Sequence, residues 1–473
     1  MSGGVTFKEG LLRARGHIAF LAGLAAAFGI SLALERTNVQ TPAVQTPAAA
    51  PVSASAAMPG ASVAASDLPA VPRPAPLTEE DLRRARRAWV YFEVNRRPET
   101  GLVDAVDRSG ETTMWDTGSY LMALIAARRL ELIPQTTFDT RLAAALGALK
   151  RLPLFDGKLP NKSYSTLSLA MVDAGDQRAK RGIRGMRGMR GMRGVGWSAV
   201  DIGRLLVPMS IVVWEYPLHT PAVRAVLARW DLGALVREGR LCGAVLRPDG
   251  KVEIRQEGRL GYEQYAAKSF TLMGEDVSGA LQSLDFVQWV KIDGVQVATD
   301  RRASQPDGAR SYVVSEPYVL GGLEYGWDHA GRDLAARVYL AQEARWRRTG
   351  LLTAVSEDWI DRPPYFVYNT VFSDGKAWHA LTATGADASF DRSLSVKAAF
   401  GWDALYRTGY TGSLVLAVQA LYDPQRGWFS GLYESDGRPN RAITCDTNAI
   451  ILESLAYRRG GPLLAGSRGA PRR

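Results

Sequence analysis

Near its two ends the 473-residue chain repeats one layout. The stretch GLVDAVDRSGETTMWDTGSYLMALIAARR begins at Gly101, and GWFSGLYESDGRPNRAITCDTNAIILESLAYRR begins at Gly427. Each runs from a Gly-led hairpin through Asp-Thr into an apolar helix that ends in two arginines. Asp116-Thr117 matches Asp446-Thr447, and Arg128-Arg129 matches Arg458-Arg459, with no gap between the two pairs. VGWSAVDIGRLLVPM, around Asp201, is a looser third copy. A loop-plus-helix unit cannot bury its apolar face alone and needs neighbours to cover it. Alike first and last units suggest a closed ring of helix pairs in which the two ends sit side by side.

The rest of the chain fits that plan. The folded unit is expected to start at LTEEDLRRARRAWVYF, where Thr78 with Asp81 resembles a capping box. Leu82, Ala85, Ala88, Trp89 and Phe92 then mark one helical face. Helices are predicted at about 115–131, 136–150, 197–212, 220–230, 260–273, 331–348, 393–407, 409–421 and 446–459. The runs between them read as short strands or hairpins. Strands do not alternate with helices in a doubly wound order and no Gly-rich phosphate loop follows a strand, which argues against a nucleotide-binding α/β fold.

Flanking segments carry little of this pattern. Residues 1–16 form a basic N-terminus, and His17 to Leu34 is an uncharged apolar run just long enough to cross a bilayer core. It is read as a single transmembrane signal-anchor with the N-terminus in the cytoplasm; a cleaved signal peptide is the alternative. Residues 35–77 are an Ala/Pro-rich tether. The main domain is assigned to 78–460, in the bacterial periplasm, and 461–473 to a disordered basic tail. The net charge of +10 is misleading. Seven cations lie between Arg178 and Arg193, within a Gly-Arg loop at 178–195, and more sit at the two termini, so the remaining body is slightly acidic. Export and a non-basic body speak against nucleic-acid binding. Cys242 and Cys445 read as buried thiols, with a single bridge as the alternative. The scattered histidines give no metal site or nucleophilic triad, and no metal or cofactor is called for.

In a ring of helix pairs, the loops before the inner helices gather at one end. Acids there could share a pocket: Asp116, Asp201, Glu263, Glu316, Glu324, Asp374 and Asp446. Trp115, Trp197, Tyr262, Tyr265, Trp327 and Trp378 lie close to several of them in sequence. Glycoside hydrolysis needs one carboxyl protonated to donate to the leaving oxygen and another ionised to activate water or attack the sugar. An aromatic wall stacks the sugar and raises the donor's pKa. The alternative is that Asp116, Asp201 and Asp446 merely cap helices. Glu263 differs because it lies within an amphipathic helix whose apolar side carries Tyr262, Tyr265, Ala266 and Phe270.

GRLGYEQYAAKSFTLMG, taken with WVYFEVNRRPETGLVDAVD, MWDTGSYLMALIAARRLELI, LPNKSYST, GWSAVDIGRLL and AITCDTNAIILESLAYR, resembles the bacterial domain of unknown function 3131 over most of 80–460. That family is similar to glucoamylase-like (α/α)6 barrels, including β-1,2-glucan-degrading enzymes. The resemblance implies a mainly α, (α/α)6 toroid with short hairpins, carried behind the transmembrane helix, and a polysaccharide or oligosaccharide partner. It makes Glu263 the candidate general acid, with Asp446 or Asp116 as its partner. Trp115, Trp197, Asp201, Tyr262, Tyr265, Glu324, Trp327 and Trp378 are the candidate substrate contacts. The expected function is a membrane-anchored glycoside hydrolase or transglycosylase acting on a bacterial glucan or exopolysaccharide. The alternative is a non-catalytic glycan-binding or scaffold subunit of a polysaccharide synthesis or secretion complex.

Overall fold

The computed structural model describes residues 68–172, 194–247, 249–302 and 309–464. The basic N-terminus, the proposed anchor at 17–34, nearly all of the tether, most of the Gly-Arg loop and 465–473 lie outside these residues; Leu463 and Leu464, assigned to a disordered tail, are instead buried, their amides donating to the Leu323 and Glu324 carbonyls. Among the described residues, no helix is long and apolar enough to cross a membrane.

Among the described residues, twelve α-helices alternate between an outer and an inner position. They are α1 (Glu79–Val94), α2 (Met114–Arg129), α3 (Gln135–Arg151), α4 (Ala199–Glu215), α5 (Thr220–Leu227), α6 (Tyr262–Met273), α7 (Ser278–Leu281), α8 (Glu316–Leu320), α9 (His329–Thr349), α10 (Val396–Tyr406), α11 (Gly409–Val418) and α12 (Cys445–Gly460). The even-numbered helices pack on one another in the cycle α2, α4, α6, α8, α10, α12 and back to α2, which closes the ring. Their sequences suit that place. In α2 every residue from Asp116 to Ala127 is buried, because GSYLMALIAA offers no polar face to water. Outer helices keep one wet side. In α1 the capping box of Thr78 and Asp81 fixes the start, and Ala85, Ala88, Trp89 and Phe92 are buried while the arginines between them are not. Small residues let inner helices approach closely: a Cβ on Gly203 of α4 would stand 2.6 Å from that of Ala266 on α6.

The first and last units of the ring meet, as the repeat requires. Val106 bridges Thr444, the Cys445 amide donates to the Ala105 carbonyl at 2.9 Å, and Arg458 reaches Asp81 at 2.8 Å. Two antiparallel strand pairs stand over one end of the ring: β1 (Arg240–Leu246) with β2 (Val252–Gln256), and β3 (Glu357–Trp359) with β4 (Phe366–Asn369). Both cysteines are buried free thiols.

The sequence pattern gave no sign of α8. It is a single turn that runs into a π-helical turn at Gly321–Tyr325, and its paired glycines and Pro317 erase the helical period. The repeat is also offset locally. Thr113 caps α2 and Thr444 caps α12, so Asp116 is the third residue of its helix and Asp446 the second of its own. One residue turns a helical side chain by about 100°, so the matched aspartates point differently.

Candidate active site

A cavity of about 670 Å³ opens where the inner helices begin, within the usual range for a small-molecule site. The N-terminal turns of α2, α4, α6 and α12 supply Trp115, Asp116, Asp201, Tyr262 and Asp446 to its lining, α10 supplies Lys397, and the two strand pairs form its walls. In the β3–β4 pair, Glu357 stands opposite Tyr368 and Trp359 opposite Phe366. Strand alternation therefore puts a carboxyl and three aromatic rings on one face. Tyr312 stacks flat on Tyr368 at 3.9 Å between centroids, and Trp359 meets Phe366 edge-on at 5.5 Å. Across the cavity Trp115 meets Tyr262 edge-on at 5.6 Å.

The acids do not cap their helices. Side chains of Thr113, Ser198 and Thr444 do so, accepting from the amides of Asp116, Asp201 and Thr447. This leaves the carboxyl groups for other contacts. Asp116 Oδ2 accepts from the Thr113 hydroxyl at 2.6 Å. Asp446 Oδ1 accepts from Trp115 Nε1 at 3.2 Å and from Ser119 at 3.1 Å, and its Oδ2 accepts from Lys397 Nζ at 2.7 Å. Lys397 also pairs with Glu316, which lies just behind the lining.

These surroundings separate the protonation states. Burial pushes Asp116 up to about 7, helped by the charge of Asp446 and opposed by the Thr113 hydrogen bond. Burial likewise lifts Asp201, beside Glu257, to about 7, and lifts Glu357 and Asp358 to about 7. Asp446 goes the other way. Its burial is outweighed by the charge and hydrogen bond of Lys397, then by Arg204 and Ser119, which hold it below the ordinary Asp value. At pH 6 Asp446 is thus held in its ionised form beside Asp116, Asp201, Glu357 and Asp358, which remain protonated.

Five of the predicted site residues meet here: Asp116, Asp446, Trp115, Asp201 and Tyr262. The others do not reach the lining. Glu263 follows Tyr262 by one position, so the helix that turns Tyr262 toward the cavity turns Glu263 away. It is 0 % exposed, accepting from Arg302 at 2.7 Å and from Gln256 at 3.0 Å. Tyr265 and Glu324 belong to a buried cluster around Arg204. Trp197 is buried and donates to the Cys242 carbonyl at 3.3 Å. Trp327 stacks on Tyr406, and Trp378 donates to Asp293 at 2.9 Å. Asp374 lies on another hairpin, 3.6 Å from Arg310.

Sequence reasoning missed Glu357, Asp358 and Lys397. SEDWIDRPPYFVY had the signal, acids beside Trp and Tyr, that singled out other stretches. Lys397, a lone cation in the apolar helix SVKAAF, is a charge that a buried helix keeps only with a partner. Among the described residues, no group of His, Cys, Asp and Glu is arranged to hold a metal ion.

The model of the family described as protein of unknown function DUF3131 matches residues 83–461. The chain belongs to this family. Solved structures share its ring. An endo-β-1,2-glucanase from Chitinophaga pinensis, in complex with sophorotriose and glucose, superposes with a TM-score of 0.57 at 12 % identity, over 84 % of this chain and 96 % of that one. A candidate glucoamylase from Bacteroides caccae gives 0.56 at 13 % identity, over 83 % and 96 %. An endo-β-1,2-glucanase from Talaromyces funiculosus, in complex with sophorose, gives 0.55 at 11 % identity, over 82 % and 84 %. At these identities the likeness establishes the glucoamylase-like helical fold of this DUF3131 member. No curated protein matches the sequence.

Proposed function

We propose that this DUF3131 protein is a glycoside hydrolase that cleaves a glucan through Glu357 and Asp446. The observation that carries this reading is the divergence of protonation states within one aromatic-lined cavity, since such divergence assigns acid and base roles. Glu357 stays protonated up to about 7 and projects from the face that carries Trp359, Phe366 and Tyr368. It donates its proton to the glycosidic oxygen as the bond from that oxygen to the anomeric carbon breaks. Asp446, kept ionised by Lys397, takes a proton from the water that attacks the anomeric carbon. Asp116, neutral over the same range, offers a hydrogen bond to a sugar hydroxyl.

The neighbours from Chitinophaga pinensis and Talaromyces funiculosus are endo-β-1,2-glucanases, which makes β-1,2-linked glucan the first substrate to try. In this reading residues 17–34 anchor the protein to the inner membrane and the barrel works in the periplasm on a bacterial polysaccharide. A purely glycan-binding role would use the aromatic walls but leaves the opposed carboxyl states without a purpose.

The test is release of reducing ends from a panel of β-glucans by the wild type, Glu357→Gln and Asp446→Asn. Activity in the wild type and its loss in both variants is the expected result. Undiminished release by Glu357→Gln would remove it as the donor. Oligosaccharide binding without cleavage of any glucan would favour the binding role.

A further inference from the structure

Beneath the cavity floor lies a charged cluster that touches no cavity space. Arg204 of α4, Glu453 of α12 and Glu324 of the π-helical turn are each 0 % exposed. One terminal nitrogen of Arg204 pairs with Glu324 and donates to the Tyr265 hydroxyl at 3.0 Å; the other reaches Glu453 at 2.7 Å. The Tyr265 hydroxyl in turn donates to Glu324 at 2.7 Å. Four inner elements are thus joined at one guanidinium, and two contacts lead upward from it. The nitrogen facing Glu453 lies 3.5 Å from Ser119 Oγ, and the guanidinium carbon stands 5.7 Å from the centre of the Trp115 ring. Ser119 and Trp115 are the two side chains that donate to Asp446 Oδ1.

We propose that Arg204 is a positioning residue, which from below the floor fixes Ser119 and Trp115 as the paired donors to Asp446 and so sets how that carboxylate is presented to the cavity. Arg204 touches no substrate and acts through these two donors. Its role in turnover rests on the reading of Asp446 as the ionised catalytic carboxylate; its role in holding that group does not.

The geometry accounts for a division of labour around Asp446. Lys397 serves Oδ2, while Oδ1 depends on neutral donors that need orienting. A Ser hydroxyl is free to rotate and equally able to accept. An Arg nitrogen beside Ser119 Oγ can only donate, so it claims the oxygen's lone pair and sends the hydroxyl proton toward Asp446. The other ionisable groups acting on Asp446 or lying beside it are Asp116 on α2, Glu316 on α8, Glu357 and Asp358 on β3, Tyr262 and Tyr265 on α6, and Cys445 and Glu453 on its own helix. Where ionised, the acids among them oppose ionisation of Asp446, and Lys397 is helped against them by Arg204 and the two donors it orients.

Arg204→Met alone would strand two buried glutamates and could fail to fold. The better probe is the triple variant Arg204→Met, Glu324→Gln, Glu453→Gln, which discharges the cluster as a unit, beside the mild variant Ser119→Ala. In the full chain, the Trp115 indole N–H resonance reports protonation of Asp446 without substrate. In the wild type, once the neighbouring acids are protonated, it should hold steady on further acidification through the ordinary Asp range. In Ser119→Ala, and in the triple variant where it folds, its transition should move upward by about one pH unit, a tenfold change in proton affinity. On a cleaved glucan, the acid limb of kcat should move with it while KM changes by less than about twofold. A Trp115 transition unmoved in Ser119→Ala would overturn the proposal whether or not any glucan is cleaved. An unchanged acid limb in a folded triple variant would do the same for its part in turnover.

Discussion

Replacing Asp116 by Asn should stabilise the protein at alkaline pH. In the native state burial raises this carboxyl to about 7, against an ordinary value of 3.8. The native state therefore binds the proton more tightly than the unfolded chain does. Below pH 3.8 both states carry it and the group contributes nothing to pH dependence. Between 3.8 and 7 the unfolded chain has released its proton and the native state has not, so stability falls as pH rises. Above 7 the loss is complete. A separation of roughly three pKa units corresponds to about 4 kcal/mol at most. Asn carries no charge at any pH, and its carbonyl oxygen can still accept from Thr113. The midpoint of urea unfolding, measured from pH 4 to 8 for the wild type and Asp116→Asn, isolates this term, since Asp201, Glu357 and Asp358 contribute alike to both. The two curves should be close at pH 4 and diverge steadily, with the variant more stable at pH 8. A constant offset across the range would refute the reasoning. The expected trade, stability gained where function is lost, is common in active sites.

Lys397→Met leaves Asp446 and Glu316 buried together without their cation. It should cost about 3–5 kcal/mol at pH 8 and clearly less at pH 4, where the acids can protonate, as read by the same unfolding series. Glu263→Gln breaks an ion pair outside the cavity, so it should lower stability by about 1–3 kcal/mol and leave the rate of glucan cleavage nearly unchanged. A collapse of the rate would return Glu263 to the mechanism. Asn161 holds the residues on either side of positions 173–193, donating to the Val172 carbonyl at 3.1 Å and accepting from the Val195 amide at 2.8 Å. A short Gly-Ser link in place of 173–193 should hold Tm within about 2 °C, measured by circular dichroism.

The ring was legible because its cause is written locally. Alike first and last units, apolar all-round helices such as GSYLMALIAA, and the Thr78–Asp81 cap each follow from the chain's own spacing. The site was legible only in part. Trp115 with Asp116, and Asp446, stand at helix starts, where a linear reading can place them. The Glu263 prediction failed to reach the cavity by one step of helix rotation, which no local pattern resolves without knowing which face meets the centre. Glu324 was read as a substrate contact, yet its partner Arg204 lies 120 residues away in sequence, a pairing that only the closed ring creates. Lys397 and Glu357 come from segments that looked like ordinary core and loop. Their chemistry arises from burial and from each other, which are tertiary properties.

The most direct test of the account is the pH dependence of kcat/KM on a cleaved glucan. If Glu357 donates and Asp446 stays ionised, activity should persist unchanged down to about pH 4 and fall away above about pH 7. Activity that climbs through pH 7, or an acid limb centred near 6, would contradict the assignment of these two carboxyl groups.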